Sequence, residues 1–181
     1  MSGQSKLSQE ILNRASKIKV ILMDVDGVMT RGDIVYDSNG LEVKHFNAHD
    51  GLGIKLARLA GLKTGIISSR ESGTIRVRAK ELKMDYLYLG RDLKLQAFHE
   101  LQSVLSLPSE KFCFIGDDLP DIPVIREAGL GVAVNNATEP TRKSAHLVTE
   151  RKGGDGAVRE VIEIILKSQN LLEKAVQKVW K

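Results

Sequence analysis

Val20-Ile21-Leu22-Met23-Asp24-Val25-Asp26-Gly27-Val28-Met29-Thr30 is the stretch that decides how this chain folds. Its first four residues form an unbroken apolar run of strand length. Such a run reads as a strand buried on both faces, as in a parallel sheet covered by helices. Asp24 and Asp26 follow at its C-terminal end, the edge where open α/β sheets place their ligands. A carboxylate has no reason to close a hydrophobic strand unless its charge is used or paired. The stretch alone leaves open an Asx-turn, with both carboxylates bonded to nearby backbone.

Outward from this stretch, strand-like and helix-like segments alternate. Leu7, Ile11, Leu12 and Ala15 share one helical face, so residues 7–16 read as a short amphipathic helix. After the Asp loop, Ile34-Val35-Tyr36 and Leu41 to Phe46 flank Asp37-Ser38-Asn39-Gly40, a strong hairpin signal. This hairpin, residues 34–46, is expected to act as a flap over the site. Asn47 to Gly51 reads as a turn and Leu52 to Ala60 as a helix closed by Gly61. Strands are expected at 63–67, 86–89, 112–115, 131–134 and 145–148. Helices are expected at 73–82, 93–105, 122–128, 157–165 and Leu171 to Lys181. The whole is one α/β domain, residues 1–181, with a doubly wound, mostly parallel sheet.

Composition removes several function classes. Net charge is +4 with 4% aromatic residues, so there is no stacking platform for single-stranded nucleic acid. A small anionic substrate accounts for the mild positive balance, and no nucleic-acid partner is expected. No apolar run approaches the roughly 20 residues of a membrane span, so no membrane partner is expected either. Met1 to Lys17 lacks the apolar core of a signal peptide, and Cys113 is the sole cysteine. Both features suit a cytoplasmic protein. Gly51-x-Gly53 fails as a dinucleotide fingerprint, lacking the third glycine and a preceding strand. His45 and His49 have helical zinc spacing without the intervening Glu, and read as solvated or substrate-facing.

Polar groups collect where strands end or helices begin. They are Asp24 and Asp26, Ser68, Lys94, and then Asp117, Asp118 and Asp121. In a parallel sheet the strand C-termini share one edge, so these groups can converge. Clustered carboxylates repel unless a hard cation neutralises them, and an oxygen-only ligand set suits Mg²⁺. Lys94 as an exposed helix lysine and Ser68 as an N-cap stay open as bland alternatives.

DVDGVMT, the hydroxyl of ISSR, Lys94 and GDDLPD together resemble, in this order, the four motifs of the haloacid dehalogenase-like phosphohydrolases. DVDGVMTRG, FNAHDGLGI, GDDLPDIPV and GGDGAVREV are similar to the 3-deoxy-D-manno-octulosonate 8-phosphate phosphatases, over roughly residues 18 to 166. Ser68-Ser69 stands where such relatives usually carry Thr-Gly; the hydroxyl is kept. The resemblance implies Asp24 as nucleophile and Asp26 as acid and base. It implies Mg²⁺ held by Asp24, the Asp26 main-chain carbonyl and Asp117. Ser68 and Lys94 would grip the phosphate, with Asp118 and Asp121 orienting Lys94 and metal waters from behind.

The implied reaction is hydrolysis of an eight-carbon sugar-acid phosphate in lipopolysaccharide precursor synthesis. A nine-carbon sialic-type substrate is the runner-up, and a non-catalytic regulator with this fold is a third reading. Arg70, two residues past Ser68, can reach a substrate carboxylate; the competing reading pairs it with a neighbour such as Glu71. Asp26 to Ser68 and Ser68 to Lys94 are too fully used to hold a cap domain. The capless relatives assemble as tetramers, which implies a homotetramer here. Gly153 to Arg159, bracketed by Arg151, Lys152 and Arg159, is expected to be a mobile lid over the active site of the adjacent subunit, with Arg159 binding substrate. The alternative is a plain linker.

Overall fold

A computed structural model describes residues 7–180. Residues 1–6, at the start read above as lacking a signal peptide, and Lys181 at the end of the terminal helix lie outside the described residues.

The apolar run Val20–Met23 is strand β1, and all four of its residues are buried. Two neighbours pair with it in parallel. The later strand Lys63–Ile67 sets Ile66 opposite Met23, and Phe112–Gly116 sets Ile115 opposite Met23. In chain order the elements are α1 (Gln9–Ala15), β1, the hairpin strands β2 (Val35–Tyr36) and β3 (Glu42–Val43), and α2 (Ala48–Leu59). Then come β4 (Lys63–Ile67), α3 (Gly73–Leu82), β5 (Tyr86–Tyr88), α4 (Lys94–Leu105), β6 (Phe112–Gly116) and α5 (Ile122–Glu127). The chain closes with β7 (Leu130–Ala133), α6 (Glu139–Ser144), β8 (Leu147–Val148), α7 (Ala157–Ser168) and α8 (Leu172–Val179). The main sheet runs β5-β4-β1-β6-β7-β8, parallel at every pairing.

The period of two along β1 divides its side chains between two cores. Ile21 and Met23 pack with Ile54, Val158, Ile162 and other residues of α1, α2 and α7. Val20 and Leu22 pack with Phe98, Phe112, Phe114 and Val124 on the α4–α5 side. Each such fully buried side chain is worth about 1.5–3 kcal/mol against exposure. The central position of β1 follows, because only a strand with sheet on both edges and helices on both faces can bury four apolar residues in succession.

Chain order on the sheet reverses beside β1: β4 and β5 lie on one side, β6 to β8 on the other. That reversal opens a crevice at the C-terminal ends of β1, β4 and β6. Among the described residues no cap domain stands over it. Between Asp26 and Ser68 there are only the hairpin, α2 and β4, and between Ser68 and Lys94 only α3 and β5.

One helix begins earlier than the sequence suggests. The expected turn at Asn47 to Gly51 is the first turn of α2, with the Asn47 side chain accepting the His49 N–H at 2.7 Å. Two glycines argue against helix locally. Tertiary packing overrides them, because a Cβ at Gly53 would stand 2.9 Å from Arg159 Cδ and 3.0 Å from Arg159 Cα. Gly53 lets α2 and α7 approach closely.

Candidate active site

Asp24, Ser68 and Asp117 each follow directly on the last residue of β1, β4 and β6, three adjacent strands. They line one cavity of about 290 Å³ together with Asp26, Arg70, Lys94, Asp118 and Asp121. The chain leaves β1 in a tight loop: the amides of Val28, Met29 and Thr30 all donate to the Val25 carbonyl. This turn binds backbone to backbone, and the two carboxylates pair instead with lysines from elsewhere in the chain, which removes the Asx-turn reading. Gly27 sits at φ +84°, and a Cβ there would lie 2.0 Å from Asp117 Oδ2. Only glycine lets the loop from β1 approach the carboxylate from β6.

Lys94 is the pivot of the pocket. Its side chain is 3% exposed, and Nζ lies 2.9 Å from Asp24 Oδ2 and 2.7 Å from Asp121 Oδ1. The exposed-lysine alternative is excluded by that burial. Burial pulls the ammonium down, but Asp24 and Asp121 outweigh it and hold its pKa above the ordinary value. Asp121 is spent in place: its Oδ2 accepts the amides of Asp117 at 2.9 Å and Asp118 at 3.3 Å. Asp121 is therefore the residue behind Lys94. Asp118 is not; its Oδ1 accepts the Leu119 amide at 2.8 Å and caps the turn at Leu119–Asp121. The expectation that Asp118 orients Lys94 is corrected accordingly: of the two capping carboxylates, it is Asp121 that lies against the ammonium.

Ser68 is buried, and its hydroxyl accepts the Arg70 amide at 3.3 Å. With its own proton free, the hydroxyl can donate to an anion in the cavity.

The carboxylates show an unmet need for positive charge. Asp24 Oδ1 is buried without a hydrogen-bond partner. Burial first, then Asp121, push Asp24 up to about 6 against the pull of Lys94. Burial and the charges of Asp121 and Asp24 push Asp117 up to about 7. Oxygens of Asp24, Asp117 and Asp121 lie within 4.8 Å of one another. An oxygen-only cluster with an orphaned buried carboxylate oxygen fits Mg²⁺. Since both Asp121 oxygens are occupied, Asp24 and Asp117 are the members of this cluster with an oxygen left to offer a cation.

Arg70 is at the mouth, but its partner is not the one suggested by sequence. Glu71 pairs with Arg76. Arg70 Nη2 lies 2.7 Å from Glu42 Oε1 and 3.2 Å from Tyr36 Oη, both on the hairpin, and Nε lies 3.6 Å from Asp26 Oδ2. Its side chain remains 39% exposed, so part of the guanidinium still faces solvent.

Glu42 and Lys44 carry no mark in the sequence that sets them apart as site residues. Lys44 Nζ lies 2.5 Å from Asp26 Oδ1 and 3.1 Å from Glu42 Oε1, on a side chain only 1% exposed. Glu42 also accepts from Ser72 Oγ. The one available signal is Glu42-Val43-Lys44, which puts two charges on one strand face. On a hairpin such a face reads as solvated, and only its docking against the Asp loop reverses that.

The expectations for the glycine-rich segment need correction. The Gly154 amide donates to the Val28 carbonyl at 2.9 Å, and the Gly153 amide to Asn136 Oδ1 at 2.8 Å. Buried Asp50 accepts the amides of Gly156 at 3.2 Å and Arg159 at 2.8 Å. This segment is a brace under the chain's own Asp loop. Glycine is there for close approach, and composition alone reads that as mobility. Arg159 Nε pairs with Glu163 at 2.6 Å, and the residue lines a separate cavity with His49 and Arg151. The structure does not bring it to the acidic pocket of the same chain. His45 lines a third cavity with Arg31 and Asp33, apart from His49.

Comparison with known proteins agrees with this geometry. A family profile of haloacid dehalogenase-like hydrolases matches residues 90–162. The 3-deoxy-D-manno-octulosonate 8-phosphate phosphatase of Yersinia pestis is 41% identical over 169 residues, 93% of this chain and 90% of that protein. Its counterpart from Escherichia coli K12 is 38% identical over the same shares. The crystal structure of the Moraxella catarrhalis enzyme of that name, in complex with magnesium, phosphate and KDO, superposes with a TM-score of 0.93. It is 41% identical, covering 96% of this chain and 99% of that one. Identity at this level over nearly the whole chain, on the same capless sheet, means that the chain belongs to the 3-deoxy-D-manno-octulosonate 8-phosphate phosphatases of the haloacid dehalogenase-like hydrolases.

Proposed function

We propose that this single domain is a Mg²⁺-dependent phosphomonoesterase that hydrolyses 3-deoxy-D-manno-octulosonate 8-phosphate to the free sugar acid and phosphate. The observation that carries the reading is Asp24, with Lys94 on Oδ2 and its buried Oδ1 unpartnered. A carboxylate so held is fixed in direction, can face the metal with one oxygen and keeps the other for attack. That oxygen bonds to phosphorus as the bond from phosphorus to the sugar oxygen breaks. Asp26 delivers a proton to the departing oxygen, then takes one from the water that attacks the phosphoryl group and releases Asp24. Ser68 and Lys94 hold the non-bridging oxygens, where charge must be balanced. Asp24, the Asp26 carbonyl and Asp117 would hold Mg²⁺, which supplies the charge that lets a phosphate dianion enter among carboxylates. The metal, phosphate and sugar acid bound by the Moraxella relative support both the cofactor and the substrate class.

Two further parts belong to this reading. Arg70 receives the substrate carboxylate with the part of its guanidinium not engaged by Glu42. The working unit is a cytoplasmic homotetramer: the hairpin exposes Ile34, Tyr36 and Leu41, an apolar face suited to self-association, and the single cysteine is buried and unpaired. Asp24→Asn tests the reading. It is expected to fold with a parental circular dichroism spectrum and to lose nearly all turnover, because an amide cannot form the acyl phosphate. Parental turnover in this variant, or in excess chelator, overturns the mechanism.

A further inference from the structure

We propose that Lys44 is a positioning residue that aims the acid–base carboxylate of Asp26, and that it makes the hairpin part of the catalytic apparatus. The inference rests on the acid–base role assigned to Asp26 above. Lys44 Nζ engages Asp26 Oδ1 at 2.5 Å, while Asp26 Oδ2 is buried with no hydrogen-bond partner and has only the Arg70 Nε charge near it, at 3.6 Å. A carboxylate held by one oxygen has its plane fixed and presents the other. Here the presented oxygen is Oδ2, on a residue that lines the cavity shared with Asp24 and Lys94.

Lys44 is itself held. Glu42 Oε1 stands 3.1 Å from its ammonium, and the same carboxylate takes Arg70 Nη2 at 2.7 Å and the Ser72 hydroxyl. The Glu42 carbonyl accepts from Thr74 Oγ1 at 3.4 Å. The hairpin is thus tied to the start of α3, and its inward face carries one cation to one oxygen of Asp26. With Arg70 beside the same two carboxylates, two cations face two anions, and the buried ammonium is charge-balanced only while all four stay in register. A lysine serving only solubility has no reason to be 1% exposed on a two-stranded hairpin whose apolar residues face outward. Reading Lys44 as a phosphate ligand is less economical, because Lys94 already serves Asp24 and the bottom of the pocket.

The consequence is specific to proton delivery. A sugar alkoxide needs a proton as it leaves, whereas p-nitrophenolate does not. Loss of aim should therefore fall on poor leaving groups. The test measures kcat/KM for a series of phosphate monoesters without carboxylates, from p-nitrophenyl phosphate through phenyl phosphate to simple alkyl phosphates, with saturating Mg²⁺. Parent, Lys44→Met, Asp26→Asn and the double variant Lys44→Met/Glu42→Gln are compared; the double variant keeps the net charge of the cluster at its parental value. Lys44→Met is expected to steepen the dependence on leaving-group pKa. It should lose about tenfold to a hundredfold on alkyl esters and less than about threefold on p-nitrophenyl phosphate, a fraction of the full general-acid effect. The double variant should behave alike, with its thermal midpoint closer to the parent. A general loss of structure lowers all esters together, so an unchanged slope in both Lys44 variants overturns the proposal. If Asp26→Asn also leaves the slope unchanged, the acid–base assignment itself falls. If Asp26→Asn steepens it and the Lys44 variants do not, only the role of Lys44 is lost.

Discussion

Gly153→Ala isolates the brace beneath the Asp loop. A Cβ at this position would stand 1.7 Å from the Gly27 carbonyl oxygen, 2.6 Å from its carbon and 3.1 Å from Val28 Cα. All three are backbone atoms of the loop that carries Asp24 and Asp26, so no side chain can swing aside. To restore even a tight contact the two backbones must part by about 1.3 Å, an overpacking strain of about 1–3 kcal/mol. Such a displacement also breaks the bonds from Gly154 N–H to the Val28 carbonyl and from Gly153 N–H to Asn136, at about 1 kcal/mol each. The total is about 3–5 kcal/mol, which for a chain of this length lowers the thermal midpoint by about 6–20 °C. Calorimetry checks the midpoint, and steady-state kinetics on p-nitrophenyl phosphate report the displaced nucleophile as a fall in kcat. Gly73→Ala is the control: at the first position of α3 an added Cβ meets nothing within 4 Å. It should be neutral or stabilising by up to about 1 kcal/mol. A Gly153→Ala protein with parental midpoint and parental kcat would show that the segment is free, as a lid would be, and that the brace is wrong.

Three other perturbations read different parts of the site. Asp24 and Asp117 are raised from 3.8 to about 6 and about 7, so their protonated forms favour the fold. In the metal-free protein the stability contributed by these two protonated groups should then be fully present below about pH 4 and be lost as pH rises through 6 and 7, by about 1.4 kcal/mol for each tenfold difference in proton affinity between the folded and unfolded chain. Mg²⁺ relieves that repulsion, so its gain in thermal midpoint over chelator should be larger at pH 8 than at pH 5; an equal gain at both refutes the electrostatic account. Arg70→Ala should raise KM for the eight-carbon sugar-acid phosphate by about tenfold or more through loss of a charge-assisted pair, with little change in kcat; higher kcat/KM for a nine-carbon acid in the parent would overturn the substrate assignment. Leu41→Asp on the exposed hairpin should convert a tetramer to smaller species by light scattering, and a parent that scatters as a monomer excludes the assembly.

The amino-acid sequence by itself determined the fold class and marked the polar groups that line one cavity. Four apolar residues ending in Asp-x-Asp can satisfy burial and charge together only at the C-terminal edge of a central parallel strand. The order Asp24, Ser68, Lys94, Asp117 then fixes which strands meet there, because each lies at an element end that local propensity marks. Tertiary structure alone decided how polar and flexible-looking segments are spent. Glu42 and Lys44 are ordinary strand charges until the hairpin docks on Asp26. Arg70 has a sequence neighbour in Glu71 but a spatial one in Glu42. Asp118 and Asp121 are indistinguishable in the run Asp117-Asp118-Leu119-Pro120-Asp121, and the turn that separates them gives Lys94 to Asp121. Glycine is the sharpest case. Composition cannot tell a glycine needed for motion from one needed for contact, and at Gly153 contact with the Gly27 backbone is the reason for it. Local sequence specifies which backbone shapes a segment can adopt; what presses against that segment comes from residues far away along the chain.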